Sequence, residues 1–135
     1  MHDKITVATP KGDSMNLITD QVQAIVHQSG IKSGICHLVI PHTTAAITIN
    51  SYLVPATEKD ILSDIRRLVP TRTDFHHIFD TPADAAGHIK ATLIGNTETV
   101  LIENGELVLG HSQGLFLLDF DGPRQRRVLV KIMAG

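Results

Sequence analysis

The chain has little with which to cross-link, stack or span a membrane. Its 135 residues include one cysteine, Cys36, so no intramolecular disulfide can form. Cys36 lies in the apolar run Ile35-Cys36-His37-Leu38-Val39-Ile40 and reads as a buried, inert thiol. There is no tryptophan, one tyrosine and four phenylalanines. That argues against a base-stacking nucleic-acid platform and leaves aliphatic side chains to fill the core. Net charge is −2 with neutral histidines, so nothing global draws nucleic acid or an anionic membrane. No apolar run is long enough to cross a bilayer, and Met1-His2-Asp3-Lys4 opens no signal-peptide apolar region. A cytoplasmic protein is the resulting expectation.

What is present suffices for a folded domain. The hydrophobic fraction is 42% and the charged fraction 19%, outside the range of disordered chains. The length is that of a single domain, 1–135. Residues 5–9 read as a strand, and Pro10-Lys11-Gly12-Asp13 as a turn. Thr19 is the expected cap of a helix reaching Ser29, with Val22, Ile25 and Val26 on one face and Gly30 at its end. Residues 35–40 and 44–50 read as strands separated by Pro41. Thr57-Glu58-Lys59-Asp60 resembles a capping box for a helix that Pro70 stops, with Ile61, Ile65, Leu68 and Val69 at helical spacing. A polar loop follows over 70–83. Asp84 is the expected cap of a short helix through Leu93, ended by Gly95.

The last third reads as strands. Residues 97–103 and 106–109 flank Asn104-Gly105, a type I′ hairpin signal, because both residues accept positive φ. Residues 114–120 and 127–133 flank Asp121-Gly122-Pro123 and are expected to form a second hairpin. Together these elements predict an α+β fold: mainly antiparallel sheet with two or three packed helices.

Eight histidines stand out, as do four basic residues near the end: Arg124, Arg126, Arg127 and Lys131. His42 sits at the break after an apolar strand, His77 in a polar loop and His88 on the short helix. Imidazole sets of this kind hold zinc and its relatives. Their spacing is not that of a tight metal-binding pair, so the residues alone leave two readings open. These are three ligands of one ion, or three unrelated histidines. His76 is an alternative to His77, and His111 lies near a strand boundary. Arginine's planar fork suits phosphate, which makes Arg124 and Arg126 candidates, although a solvated chain reversal explains them equally well. Thr43-Thr44 offers hydroxyls beside His42.

Five stretches then occur in order. They are Pro41-His42-Thr43-Thr44-Ala45-Ala46-Ile47-Thr48-Ile49-Asn50; Asp60; Phe75-His76-His77; Gly87-His88-Ile89-Lys90-Ala91-Thr92-Leu93-Ile94-Gly95; and Asn104 to Gly110 with Gln113-Gly114 and Phe120-Asp121-Gly122-Pro123-Arg124. Together they resemble the YjbQ family of small uncharacterised or secondary thiamine-phosphate-synthase proteins, over about residues 12–135. The resemblance implies a compact α+β fold, a homotrimer, and a metal site at or near a subunit interface. It implies histidine ligands from the motifs H-T-[TS]-A, [YF]-x-H and H-[IL]-K, which fall on His42, His77 and His88. Phe75 in the aromatic position selects His77 over His76. It also implies a weak thiamine-phosphate synthase activity in some members, which joins a pyrimidine diphosphate to a thiazole phosphate and releases pyrophosphate.

The chain departs from that pattern in places. Ser51 stands where the family has Glu, Val54 where it has Asp before proline, and Ser112 where it has Trp. Two carboxylates and a stacking surface are therefore missing, while Asp60 remains. Two functions follow. In the first, a divalent metal, zinc before others, assists chemistry on a small phosphorylated substrate. Asp60 and Thr44 are then the catalytic candidates, and Lys90, Arg124 and Arg126 the ligand-binding ones. In the second, a trimeric module holds the metal and a phosphate-bearing ligand without turnover.

Overall fold

A computed structural model describes residues 1–135. In chain order the elements are β1 (Asp3–Ala8), β2 (Gly12–Leu17), α1 (Thr19–Ser29), β3 (Gly34–Val39), β4 (Ala45–Ser51), α2 (Pro55–Leu68), α3 (Pro82–Ile94), β5 (Thr97–Glu103), β6 (Glu106–Leu107), β7 (Gln113–Gly122) and β8 (Gln125–Ala134). The strands form two sheets, β1-β8-β3-β5-β6 and β2-β7-β4. Every strand pair is antiparallel. The α+β class expected from the sequence therefore holds, with three helices. No helix is long and apolar enough to cross a membrane.

Strand alternation explains the layering. Cys36, Leu38, Val100, Ile102, Val128 and Val130 point from the five-stranded sheet into a core shared with α1 and the three-stranded sheet. Ala45, Ile47, Leu115 and Leu117 meet them from the other side. Each fully buried aliphatic side chain of this kind contributes roughly 1.5–3 kcal/mol. The opposite face of the three-stranded sheet presents Met15, Ala46, Phe116, Leu118 and Phe120 to α2 and α3. That sheet is thus the middle layer, and β7 is buried on both faces. The run Leu115-Phe116-Leu117-Leu118 lacks alternation for this reason.

Four local expectations need correction. β7 and β8 do not form a hairpin: β7 pairs with β2 and β4, and β8 with β1 and β3. The link Asp121–Arg124, with a cis Gly122–Pro123 bond, carries the chain from one sheet to the other. Thr19 does not cap α1. Ile18 occupies the cap position, and the Thr19 hydroxyl accepts the Leu115 N–H at 2.9 Å, which ties the helix to β7. The capping box at Thr57 lies inside α2, which starts at Pro55 with Val54 extended before it. Proline's fixed φ preorganises that first turn. Finally, α3 starts two residues before Asp84. Pro82 opens it, and Thr81 caps it by accepting the Asp84 N–H at 3.1 Å.

Other expectations are met. Gly30 ends α1 with φ 71°. Asn104 and Gly105 turn β5 into β6 with φ of 54° and 76°, the values a type I′ turn requires. β2 takes in Gly12 and Asp13, expected as part of a turn, and continues through Leu17, where the sequence suggested no element. Its composition, Gly-Asp-Ser-Met-Asn-Leu, is poor in strand formers, and its place beside β7 sustains it.

Candidate metal centre

The cap assignment decides the chemistry of α3. Because Thr81 satisfies the helix start, the Asp84 side chain is free to face inward. Asp84, Gly87 and His88 fall three and four residues apart, on one helix face. Gly87 lets that face approach β7 closely: a Cβ there would sit 3.1 Å from the Phe120 carbonyl oxygen and 3.3 Å from the Thr44 side chain. A larger residue would require its neighbours to give by a few tenths of an ångström.

On this face two imidazoles converge on one carboxylate oxygen. His77 Nε2 lies 2.9 Å from Asp84 Oδ2, and His88 Nε2 lies 3.1 Å from the same atom. The two rings meet edge to face with centroids 5.2 Å apart. Asp80 Oδ2 stands 4.0 Å from His77 Nε2. One donor atom from each of His77, Asp84 and His88 lies within 4.8 Å of the others, close enough to share one ion. Burial pushes the Asp84 carboxyl upward, but the hydrogen bond with His77 and the charge and hydrogen bond of His88 outweigh it and hold it low. The group is therefore an anion ready to accept a cation. Two imidazole nitrogens and one carboxylate oxygen, with the histidines about 40% exposed, form a donor set that suits zinc, cobalt, nickel or ferrous iron. The chemistry of the site fits a divalent metal.

His42 stands outside this group of three. Its Nε2 accepts the Arg127 N–H at 2.9 Å. Burial and the neighbouring charges of Arg126 and Arg127 lower its pKa, which keeps the ring neutral. His42 and His88 nevertheless line one cavity of about 480 Å³, with Thr43, Ala45, Thr92 and Asn96 on its walls. That volume suits a small organic molecule.

The remaining sequence candidates divide between buried pairs and distant places. Arg126 is 4% exposed and grips Asp119 with two bonds of 2.8 Å, while its Nη2 donates to the Thr44 hydroxyl at 2.7 Å. Thr9 donates to Asp119 at 2.6 Å. Arg126 and Thr44 thus belong to a closed network. Lys90 is 2% exposed and donates to Asp13 at 2.7 Å, joining α3 to β2. Asp60 lines a different cavity, beside Asn50 and Asp64 on α2 and β4. Arg124 is solvent-accessible and donates to the Asp121 carboxylate at 2.8 Å and to the Asp121 carbonyl at 3.0 Å. Ser51 pairs with Gln113, and the Tyr52 N–H donates to the Ser112 carbonyl. Two of the three departures from the family pattern, Ser51 and Ser112, therefore meet at one corner. It lies at the far end of β4 from Ala45, which pairs with Asp119 beside the histidine cavity. Sequence reasoning passed over Asp84 as a ligand. The signal that could have found it was Thr81-Pro82, a cap followed by proline at the first helical position, which relieves Asp84 of capping.

Comparison with known proteins places the chain in a family. The family model described as UPF0047 protein YjbQ-like matches residues 3–135. A UPF0047 protein of Archaeoglobus fulgidus is 41% identical over 131 residues, covering 96% of this chain and 99% of that one. UPF0047 protein YugU of Bacillus subtilis is 36% identical over 129 residues, covering 96% of each. Among solved structures, a YbjQ-like protein of unknown function from Sulfolobus solfataricus superposes with a TM-score of 0.93 at 35% identity, covering 100% of this chain and 97% of that one. An uncharacterised protein of the same family from Clostridium acetobutylicum gives 0.90 at 38% identity, covering 97% and 99%. The chain belongs to the YjbQ-like UPF0047 family.

Proposed function

We propose that this protein holds a divalent metal at His77, Asp84 and His88 and uses it to bind a small phosphorylated molecule in the adjoining cavity. The observation that carries this reading is the convergence of two imidazoles on one low-pKa carboxylate, with His88 shared between that cluster and the cavity wall. Zinc is the first candidate. A dication there supplies positive charge beside a phosphate oxygen. His42, neutral and held by the Arg127 N–H, lines the same cavity as His88 as a hydrogen-bonding group. For turnover, the resemblance offers one concrete reaction: condensation of a pyrimidine diphosphate with a thiazole phosphate. Noncatalytic binding is the second reading. It is favoured by the closed state of Thr44, Lys90 and Arg126, whose polar groups already have partners within the chain. A homotrimer is part of the proposal. The outer face of the five-stranded sheet, with Leu101 59% and Met133 50% exposed, has apolar surface for such contacts.

The test is metal analysis of untagged protein, followed by cobalt(II) titration read by its visible absorption. Wild type should take up one ion per chain, and Asp84→Asn should weaken uptake by about a hundredfold or more, since losing a ligand exceeds the 10–100-fold typical of outer partners. Equal uptake by both proteins would sink the metal reading. Thiamine-phosphate formation by the loaded protein then separates catalysis from binding.

A further inference from the structure

The histidine cavity has a polarity as well as a volume. No lysine, arginine, aspartate or glutamate lines its roughly 480 Å³. Its polar wall consists of His42, Thr43, His88, Thr92 and Asn96. The buried cations Lys90 and Arg126 are taken up by Asp13 and Asp119 and are absent from that wall.

Two of the wall groups have their hydrogen-bonding direction set by the main chain. His42 Nε2 lies 2.9 Å from the Arg127 backbone nitrogen. A backbone N–H can only donate, so Nε2 accepts and the ring carries its proton on Nδ1. A doubly protonated ring would set one N–H against another. No buried side-chain polar atom lacks a partner, so Nδ1, which bonds nothing within the chain, is open to solvent. It is the ring nitrogen of His42 left for a ligand. Thr92 has the opposite polarity. Its hydroxyl donates its single proton to the His88 carbonyl at 2.8 Å, and its oxygen has only lone pairs to offer. Neither direction can reverse, because a main-chain N–H and a main-chain carbonyl each have one role. The Thr43 hydroxyl and the Asn96 amide can donate or accept and so adapt to either.

We infer that this wall recognises an uncharged, amide-like group of the ligand, with His42 Nδ1–H donating to its carbonyl or ring nitrogen and Thr92 Oγ1 accepting its N–H. This deepens the reading of the cavity as a ligand site, and it stands independently of the metal. An anionic group here would meet the Thr92 lone pairs with no lysine or arginine to offset them. A cationic group with donors alone would meet the His42 N–H. Either mismatch leaves a polar group unpaired, which is the usual source of strong discrimination. A group that carries acceptor and donor together satisfies both. Primary carboxamides, lactams and amino-substituted nitrogen heterocycles share that pattern.

Benzamide, benzoate and benzamidinium test this, because they share a shape and differ in charge and polarity. The first has a donor and an acceptor, the second acceptors only and the third donors only. Binding to the full chain is read from the backbone amide shifts of His42, Thr92 and Asn96, with a chelator present so that no metal attracts the carboxylate. Benzamide should bind roughly three- to tenfold more tightly than either ion. Thr92→Val, a nearly isosteric change at an exposed helix position, should remove most of that preference, and His42→Phe should do the same. Nitrogen-15 spectra should show His42 protonated on Nδ1. Benzoate binding as tightly as benzamide, no binding by any of the three, a preference that survives Thr92→Val, or a proton on His42 Nε2 would each overturn the inference. Zinc uptake is measured separately on the same protein. Zinc bound with benzoate preferred removes this inference alone, and benzamide preferred with no zinc bound removes the metal reading alone.

Discussion

Two polar clusters sit side by side at one end of the middle sheet, and they are built on opposite principles. Around Asp119 every lone pair has a donor: Arg126 with two bonds, Thr9 with one and the Asp121 N–H with one. The group is 0% exposed and no buried side-chain polar atom in the protein lacks a partner. Around Asp84 the partners are two half-exposed imidazoles that share one oxygen, and a second carboxylate stands close by. The first cluster has matched one anion to one permanent cation. The second concentrates anionic charge against groups that are cations only when protonated. A closed network fixes the fold, whereas an open one with surplus negative charge has capacity left for a ligand.

The largest expected effect breaks the closed cluster. Asp119→Ala leaves the Arg126 guanidinium buried without a counter-charge and should lower stability by about 3–5 kcal/mol. Replacing both partners, Asp119→Leu with Arg126→Met, should cost much less, since no orphaned charge remains. Urea unfolding of the three proteins measures both. If the single and double variants are equally unstable, the Asp119 network is held by packing and not by charge matching.

A smaller effect should come from the seam between the clusters. Gly87→Ala drives a methyl group to 3.1 Å from the Phe120 carbonyl oxygen, a backbone atom with little room to yield. The expected loss is about 1–3 kcal/mol, the usual range for overpacking. Because the shift moves Asp84 and His88 together, cobalt affinity should fall as well. Lost stability with unchanged cobalt binding would show that α3 carries its metal donors as a rigid unit, independent of the seam.

Acid should act on the closed cluster in a defined direction. Burial alone would raise the Asp119 carboxyl, but the bonds from Arg126, Thr9 and the Asp121 N–H hold it below the ordinary 3.8. The unfolded chain therefore binds a proton more readily than the folded one. The stabilisation is complete above the unfolded value and is lost as pH falls through it toward the folded value. Stability from urea titrations should drop as pH falls through 3.8 and below in wild type, and drop less in Asp119→Asn, which carries no titrating group there. Parallel pH curves for the two proteins would refute the assignment.

How much of this was legible beforehand depends on range along the chain. Features set within a few residues were readable: Gly30 ending α1, the positive φ pair Asn104-Gly105, and the helix stop before Pro70. The three-histidine motif named His77 and His88, which lie together with Asp84, and His42, which lies outside that group and shares a cavity wall with His88 alone. Pairings across the chain were not readable. The Arg126–Asp119 and Lys90–Asp13 pairs join residues on different elements, so both cations looked available for phosphate until their partners were known. The β7–β8 link was misread because Gly-Pro after an acidic residue is a turn signal in both a hairpin and a crossing between sheets. The unbroken apolar run before it, fit for burial on both faces, was the better guide.

The smallest expected effect concerns the corner that departs from the family pattern. Ser51 and the Ser112 carbonyl meet near Gln113, six residues along β4 from Ala45. At roughly 3.3 Å per residue that is about 20 Å, beyond the reach of a glutamate side chain. Ser51→Glu is also partly exposed and outside any buried network, so stability should change by no more than about 0.5 kcal/mol. In a site built from one chain, cobalt affinity and any thiamine-phosphate formation should stay as in wild type. A rise in turnover on restoring this carboxylate would have another meaning. It would require the Ser51 corner of one subunit to reach the histidine cavity of another. Mixing chains that carry both Ser51→Glu and Asp84→Asn with wild-type chains would then decide the matter: raised turnover in the hybrids requires the two residues to work across an interface.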